Sequence, residues 1–173
     1  PIKSSAASDV YKRQVLSQLE KADVSEREKT EKWSLDAVVG LYDDPQNQQQ
    51  KPLLVDFAQN GNLAVCGSVV TGKSIFMQTM LYSLFQKYNP DQLQCYILDF
   101  SSHLMTPFES APNTGGIVYD NQEDRLGKFM HLLEKMMEER KKLFEGGNYA
   151  QYVRAYGQKI PAILVAVSYT HLT

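Results

Sequence analysis

Eight consecutive residues, Gly67-Ser68-Val69-Val70-Thr71-Gly72-Lys73-Ser74, satisfy the spacing G-x-x-x-x-G-K-[ST]. Each residue type has a chemical reason to be there. A chain of phosphates is cradled by backbone N–H groups that converge in a tight nest, and glycine keeps side chains out of that space. A helix that starts at the second glycine turns the positive end of its dipole toward the anion. Lys73 then reaches the β- and γ-phosphates, and the Ser74 hydroxyl binds Mg²⁺. Residues 67–75, with Ile75 as the next residue of the helix, form the candidate contact with a nucleotide's phosphates.

A phosphate loop of this kind requires a strand before it and a helix after it, and the sequence supplies candidates for both. Asn60-Gly61 marks a turn, and the short apolar run Leu63 to Cys66 predicts the strand. From Ser74 onward, Met77, Met80, Leu81, Leu84, Phe85 and Tyr88 recur at helical spacing until Asn89-Pro90-Asp91 ends the pattern. Upstream, 37–42 and 53–57 read as two strands separated by a polar segment with Pro45 and Pro52. Downstream, "CYILDF" (95–100) and "GGIVY" (115–119) predict strands. Residues 123–144 predict a long helix whose Leu126, Phe129, Met130, Leu133, Met136, Met137 and Phe144 form one broad apolar face, with Gly146-Gly147 as its stop. "AQYVRAYG" offers another helical turn or two, and "AILVA" (162–166) a final strand. Alternation of this sort specifies an α/β fold with a mostly parallel sheet flanked by helices.

Other chemistry-bearing residues have competing readings. Asp99 stands at the predicted carboxyl end of a strand, where open α/β sheets place ligand chemistry. It either orients a water or the metal shell, or terminates the strand and caps the loop that follows. Gly115-Gly116 reads as a tight passage from loop into strand, and the methionines of 123–144 as core. Arg140, in "EERKK", reads as a solvated helix charge. His103 and His131 have no partners at motif spacing, and no Ser-His-Asp or Cys-His pattern is present. Both Cys66 and Cys95 lie in apolar runs and read as buried, reduced thiols.

Composition narrows the class further. The chain has 173 residues, 43% hydrophobic and 22% charged, with a formal net charge of −2, which fits one folded domain. No window approaches the ~18–20 apolar residues of a membrane span, and "PIKSSAASDVYKRQ" has no apolar core of a secretory signal. Residues 1–14 and 167–173 ("VSYTHLT") resemble translated sequencing-adapter sequence and are set apart from the fold. Without Lys3, Lys12, Arg13 and Asp9 the remainder is more acidic, and it shows no basic stripe for nucleic acid. Residues 15–32 read as a charged helical linker into a domain spanning 33–166.

Taken in order, "VGLYDDPQNQQQKPLLVDF", "LAVCGSVVTGKS", "YILDF", "GGIVYDNQEDRLGKFMHLLEKMMEERKKLF" and "KIPAILV" resemble the FtsK/SpoIIIE-type ATPases. The likeness is strongest to the tandem ATPase modules of the membrane-anchored motor of type VII secretion systems. It implies a RecA-like P-loop NTPase fold, ATP and Mg²⁺ as cofactors, and Lys73 and Asp99 as catalytic candidates. It also implies neighbouring modules or copies of the motor and secreted helical proteins as partners, at the cytoplasmic inner face of the cell membrane, with no membrane contact by this segment. DNA translocation and nucleotide binding without turnover are the alternatives. In relatives "PAILVA" would continue into the Walker B aspartate; here it continues into "VSYTHLT", so the chain is expected to be truncated within that strand, to bind nucleotide weakly and not to hydrolyse it.

Overall fold

The computed structural model describes residues 33–101 and 103–169; the segments 1–14 and 15–32 set apart above lie outside the described residues. The chain divides after Asn62 into two compact units.

In the first unit, β1 (Asp36–Asp44) and β2 (Gln49–Asp56) pair antiparallel, with Asp36 opposite Asp56 and Asp44 opposite Gln49. The polar 45–48 segment is the turn. Its shape is held by the Asp44 carboxylate, which accepts from the Asn47 side chain at 2.9 Å and pairs with Lys51. A short helix, α1 (Phe57–Asn60), follows; Asp56 caps it by accepting from the Gln59 amide at 3.0 Å, and Gly61, with φ +71°, ends it.

In the second unit a three-stranded parallel sheet has the order β4-β3-β5, formed by β3 (Leu93–Phe100), β4 (Thr114–Tyr119) and β5 (Ala162–Tyr169). The preceding helix is α2 (Lys73–Lys87); α3 (Glu123–Leu143) and α4 (Tyr149–Tyr156) lie between β4 and β5. The central strand is buried on both faces, and its period of two sorts the core. Cys95 and Ile97 pack with Leu81, Met105, Ile117 and Ala166, and with the half-buried Met77 and Phe85 of α2. Tyr96 and Leu98 point the other way, into Val118, Phe129 and the Leu126, Leu133 and Met136 stripe of α3. Gly115 is required here, because a Cβ at that position would meet the Tyr96 ring at 2.5 Å.

Four expectations need correction. Residues 63–66 form no strand, and Leu63, Val65 and Cys66 are exposed. A strand is stable only where a neighbour takes its backbone N–H and C=O groups, and the three parallel strands pair with one another and not with 63–66. Second, the apolar face of α3 is narrower than its periodicity suggests: Met130 and Met137 are exposed, Met137 at 69%. Third, Arg140 is not a solvated charge. It is half-buried, donates to the Pro161 carbonyl at 2.6 Å and stacks over Tyr149, so it fastens α3 to the approach of β5. Fourth, β5 itself runs on through Tyr169, past the expected boundary at 166.

The two cysteines therefore differ sharply. Burial pushes the Cys95 thiol up to about 12, whereas Cys66 is solvent-exposed. At pH 8 a thiol-reactive disulfide reagent should titrate one thiol per native chain, Cys66, and two in urea. Fast reaction of both in the native protein would contradict this core, and reaction of neither would restore 63–66 to a buried strand.

Candidate phosphate-binding site

The loop closes on itself through its own polar groups. Lys73 Nζ donates to the carbonyls of Gly67 at 2.8 Å and Ser68 at 2.7 Å. The Thr71 hydroxyl donates to the same Ser68 carbonyl at 2.8 Å. Gly67 must be glycine for this closure, since an added Cβ would stand 2.7 Å from Thr71 Oγ1. Gly72, the N-cap of α2, takes φ +89°, the left-handed conformation in which glycine avoids the Cβ penalty, and its carbonyl accepts from the Phe76 amide at 2.9 Å. An ammonium carries three donors. Two of those of Lys73 are committed to the loop, which leaves one for an anion.

An open cleft of about 330 Å³ results, lined by Val65, Cys66, Gly67, Thr71, Gly72, Lys73 and Phe76. Of the residues singled out from sequence, Gly67, Thr71, Gly72 and Lys73 thus come together around one concavity. Ser68 contributes its carbonyl, and Val69 and Val70 face solvent, 65% and 96% exposed. Ser74 and Ile75 lie on the first turn of α2, Ser74 half-buried and Ile75 exposed.

The helix that carries Lys73 is fixed in direction by two polar clamps. Near its start, Gln78 Nε2 donates to the Leu104 carbonyl at 2.6 Å, just beyond the carboxyl end of β3. At its other end, the buried Asn113 donates to the carbonyls of Tyr88 at 3.0 Å and Leu93 at 2.9 Å, tying the exit of α2 to the start of β3. Helix and strand therefore run antiparallel, and the loop opens at the carboxyl end of the sheet, where such folds hold their ligands.

Asp99 lies on that same side of the sheet, on the face that packs against α2, and is fully buried. Its carboxylate accepts from the backbone amides of Met105 at 3.0 Å and Ser101 at 3.3 Å. It is not among the cleft-lining residues. In this arrangement it holds the 101–105 loop, to which Gln78 is also fastened. Sequence reading missed Gln78, because a lone glutamine in a helical pattern carries no motif; only the Leu104 contact identifies it. It also missed His103, which stacks on Tyr119 with ring centroids 4.6 Å apart and bonds Asp120 at 3.1 Å.

The residues fit a polyphosphate: a loop in which a Cβ at Gly67 would clash, a lysine with a donor to spare and a helix start beneath it. For Mg²⁺ the chain offers the Ser74 hydroxyl, while no carboxylate occurs along β5 and no group of three His, Cys, Asp or Glu is gathered among the described residues. One hydroxyl suits Mg²⁺ carried in on phosphate oxygens and waters, not an ion bound by protein alone.

The FtsK/SpoIIIE family matches residues 23–171, most of the chain. The chain belongs to that family. Within it, the ESX secretion system protein EccC of Geobacillus thermodenitrificans is 33% identical over 132 residues, 75% of this chain and 9% of its own length. The type VII secretion system protein EssC of Staphylococcus aureus (strain MRSA252) is 27% identical over 153 residues, 84% of this chain and 10% of its own. Among solved structures, ATPases 2 and 3 of EssC from Geobacillus thermodenitrificans superpose with a TM-score of 0.69 at 32% identity, covering 77% of this chain and 26% of that one. ATPases 2 and 3 of Thermomonospora curvata EccC in complex with a signal sequence peptide give 0.69 at 27%, covering 81% and 27%. The chain thus spans about a tenth of the length of these curated relatives. As a member of the FtsK/SpoIIIE family it has the P-loop ATPase fold, a parallel sheet flanked by helices.

Asp99→Asn separates its two readings. An amide leaves one oxygen to accept and turns an N–H₂ group toward a backbone donor, so the exchange should cost about 1–3 kcal/mol. Hydrogen exchange at the Met105 amide should then accelerate markedly. An unchanged Met105 amide would show that the carboxylate is not what holds this loop.

Proposed function

We propose that this chain is a nucleotide-binding module of a motor ATPase that powers protein export by a type VII secretion system. The observation that carries the reading is the closed loop of residues 67–74: Lys73 bridges its carbonyls and retains a donor at the mouth of a cleft beneath a helix start. The similarity to EccC and EssC, rather than to the loop motif alone, supports export as the work that nucleotide binding drives. In this reading the amides of residues 68–74 and the start of α2 hold the β- and γ-phosphates of ATP, Lys73 neutralises them, Ser74 adds a ligand to the Mg²⁺ they carry, and Ile75 follows in the first helical turn. Asp99 serves the site by fixing the 101–105 loop on the face of the sheet that α2 covers.

Partners follow from the same family. We infer neighbouring ATPase modules, in tandem or in other copies of the motor, and helical secreted proteins as cargo, with the module at the cytoplasmic face of a membrane-anchored parent. Among the described residues no helix is long and apolar enough to cross a membrane. DNA as the transported polymer would need cationic surface, whereas the net charge is −2.

Binding and turnover make different demands. Binding rests on the loop amides, the helix start and Lys73. Hydrolysis also needs a fixed metal and an aligned water, and β5 supplies no acid for them; such contributions are worth roughly 10²–10³-fold each. The 173-residue chain should bind a fluorescent ADP analogue with Mg²⁺, protect Cys66 from thiol reagents when bound, and hydrolyse ATP near background. Lys73→Ala should weaken binding by about 10–100-fold through loss of a charge-assisted hydrogen bond. Binding unaffected by Lys73→Ala would overturn the site, and brisk Lys73-dependent hydrolysis would overturn the separation of binding from turnover.

A further inference from the structure

Val70 stands out in the phosphate loop for an unusual pairing of residue type and backbone. It takes φ +66°, a left-handed conformation that a β-branched residue rarely adopts. Gly72, two residues on, takes a similar φ without penalty. Nothing packs on the Val70 side chain in return, since it is 96% exposed. Nor does regular structure hold the backbone in place: residues 61–70 are exposed throughout and lie outside any helix or strand. What keeps Val70 left-handed is a set of exposed hydrogen bonds on either side of it, Thr71 Oγ1 to the Ser68 carbonyl and Lys73 Nζ to the carbonyls of Gly67 and Ser68.

We propose that Val70 sets the affinity of this site, acting as a built-in brake on nucleotide binding. The inference rests on the nucleotide-binding reading above and deepens it. The closed loop with Val70 left-handed is the form whose amides converge on a polyphosphate. A relaxed loop, in which Val70 returns to negative φ, competes with it, because the closing bonds are exposed and water replaces them readily. Apparent affinity scales with the fraction of chains in the competent form. A left-handed L-residue is disfavoured by about 5–30-fold in population, so the nucleotide must recover whatever part of that factor the closing bonds do not offset. The Val70 side chain touches neither metal nor phosphate in this account; it acts through the shape of the backbone that aims the loop amides, and is a positioning residue.

The test is calorimetric titration of the full 173-residue chain with Mg·ADP, comparing the wild type with Val70→Gly, Val70→Asn, Val70→Ile and Lys73→Ala, alongside the melting temperature of each without nucleotide. Glycine removes the left-handed cost, and asparagine, which tolerates that region, reduces it while keeping a side chain. Val70→Gly should tighten binding by up to about 5–30-fold, Val70→Asn by a smaller factor in the same direction, and Val70→Ile should change it by less than twofold. If Lys73-dependent binding is present in the wild type and neither Val70→Gly nor Val70→Asn tightens it, the brake is overturned. A rise in melting temperature with an unchanged dissociation constant also overturns it, since the strain would then be purely structural. Wild-type binding no stronger than that of Lys73→Ala overturns the nucleotide reading itself, and the brake with it.

Discussion

The packing of α2 along the central strand β3 is the constraint on which the second unit depends. Leu81 of the helix and Ile97 of the strand, both fully buried, meet in one core. Burial alone is non-directional, so it does not fix which end of the helix lies at which end of the strand. The short connection 88–92 between α2 and β3 sets the direction, and two polar clamps hold it, Gln78 on Leu104 near the start and Asn113 on Tyr88 and Leu93 at the finish. The Asn113 bonds are buried and the Gln78 bond is exposed. Each adds only about 1 kcal/mol to stability, yet leaving the buried Asn113 unpaired would cost more, so the Asn113 end holds the antiparallel setting most firmly. Lys73 stands at the carboxyl end of the sheet as a consequence, and the proposed phosphate site follows from that placement.

Much of this architecture is legible in the sequence because its signals are local. The α2 stripe Met77–Tyr88, the strand at 95–100 and the Gly146-Gly147 stop each arise from period or from backbone chemistry, and all appear within two residues of where the pattern puts them. Residues 63–66 fail because apolar character says that a segment would pair if a neighbour existed, while pairing itself is non-local. Cys66 was misplaced for the same reason. Arg140 shows the converse: its charge reads as surface, but the methylene stem and planar head of an arginine are well suited to stacking on Tyr149 and reaching a backbone carbonyl.

The candidate site divides in the same way. Gly67, Gly72 and Lys73 are legible because a phosphate-binding motif calls for those residue types at fixed spacing, and in the structure each of them has a distinct task in closing the loop. Asp99 illustrates what spacing cannot decide. A carboxylate at a strand end suits a metal shell and a loop cap equally well, and its bonds to Ser101 and Met105 are what reveal the cap. Gln78 and the left-handed Val70 carry no motif at all, and only contacts and backbone angles expose them. These details belong to a member of the FtsK/SpoIIIE family that spans about a tenth of the length of the curated relatives it matches.

The central claim, that residues 67–74 grip the phosphates of a nucleotide, is tested most directly by backbone amide NMR of the isotopically labelled chain during titration with Mg·ADP. The account predicts the largest shifts at Gly72, Lys73 and Ser74, where amides meet the anion, with smaller changes at Cys66 and Phe76 on the wall of the cleft. Shifts concentrated instead around His103 and Asp120, or absent from 67–74 at saturating nucleotide, would contradict it.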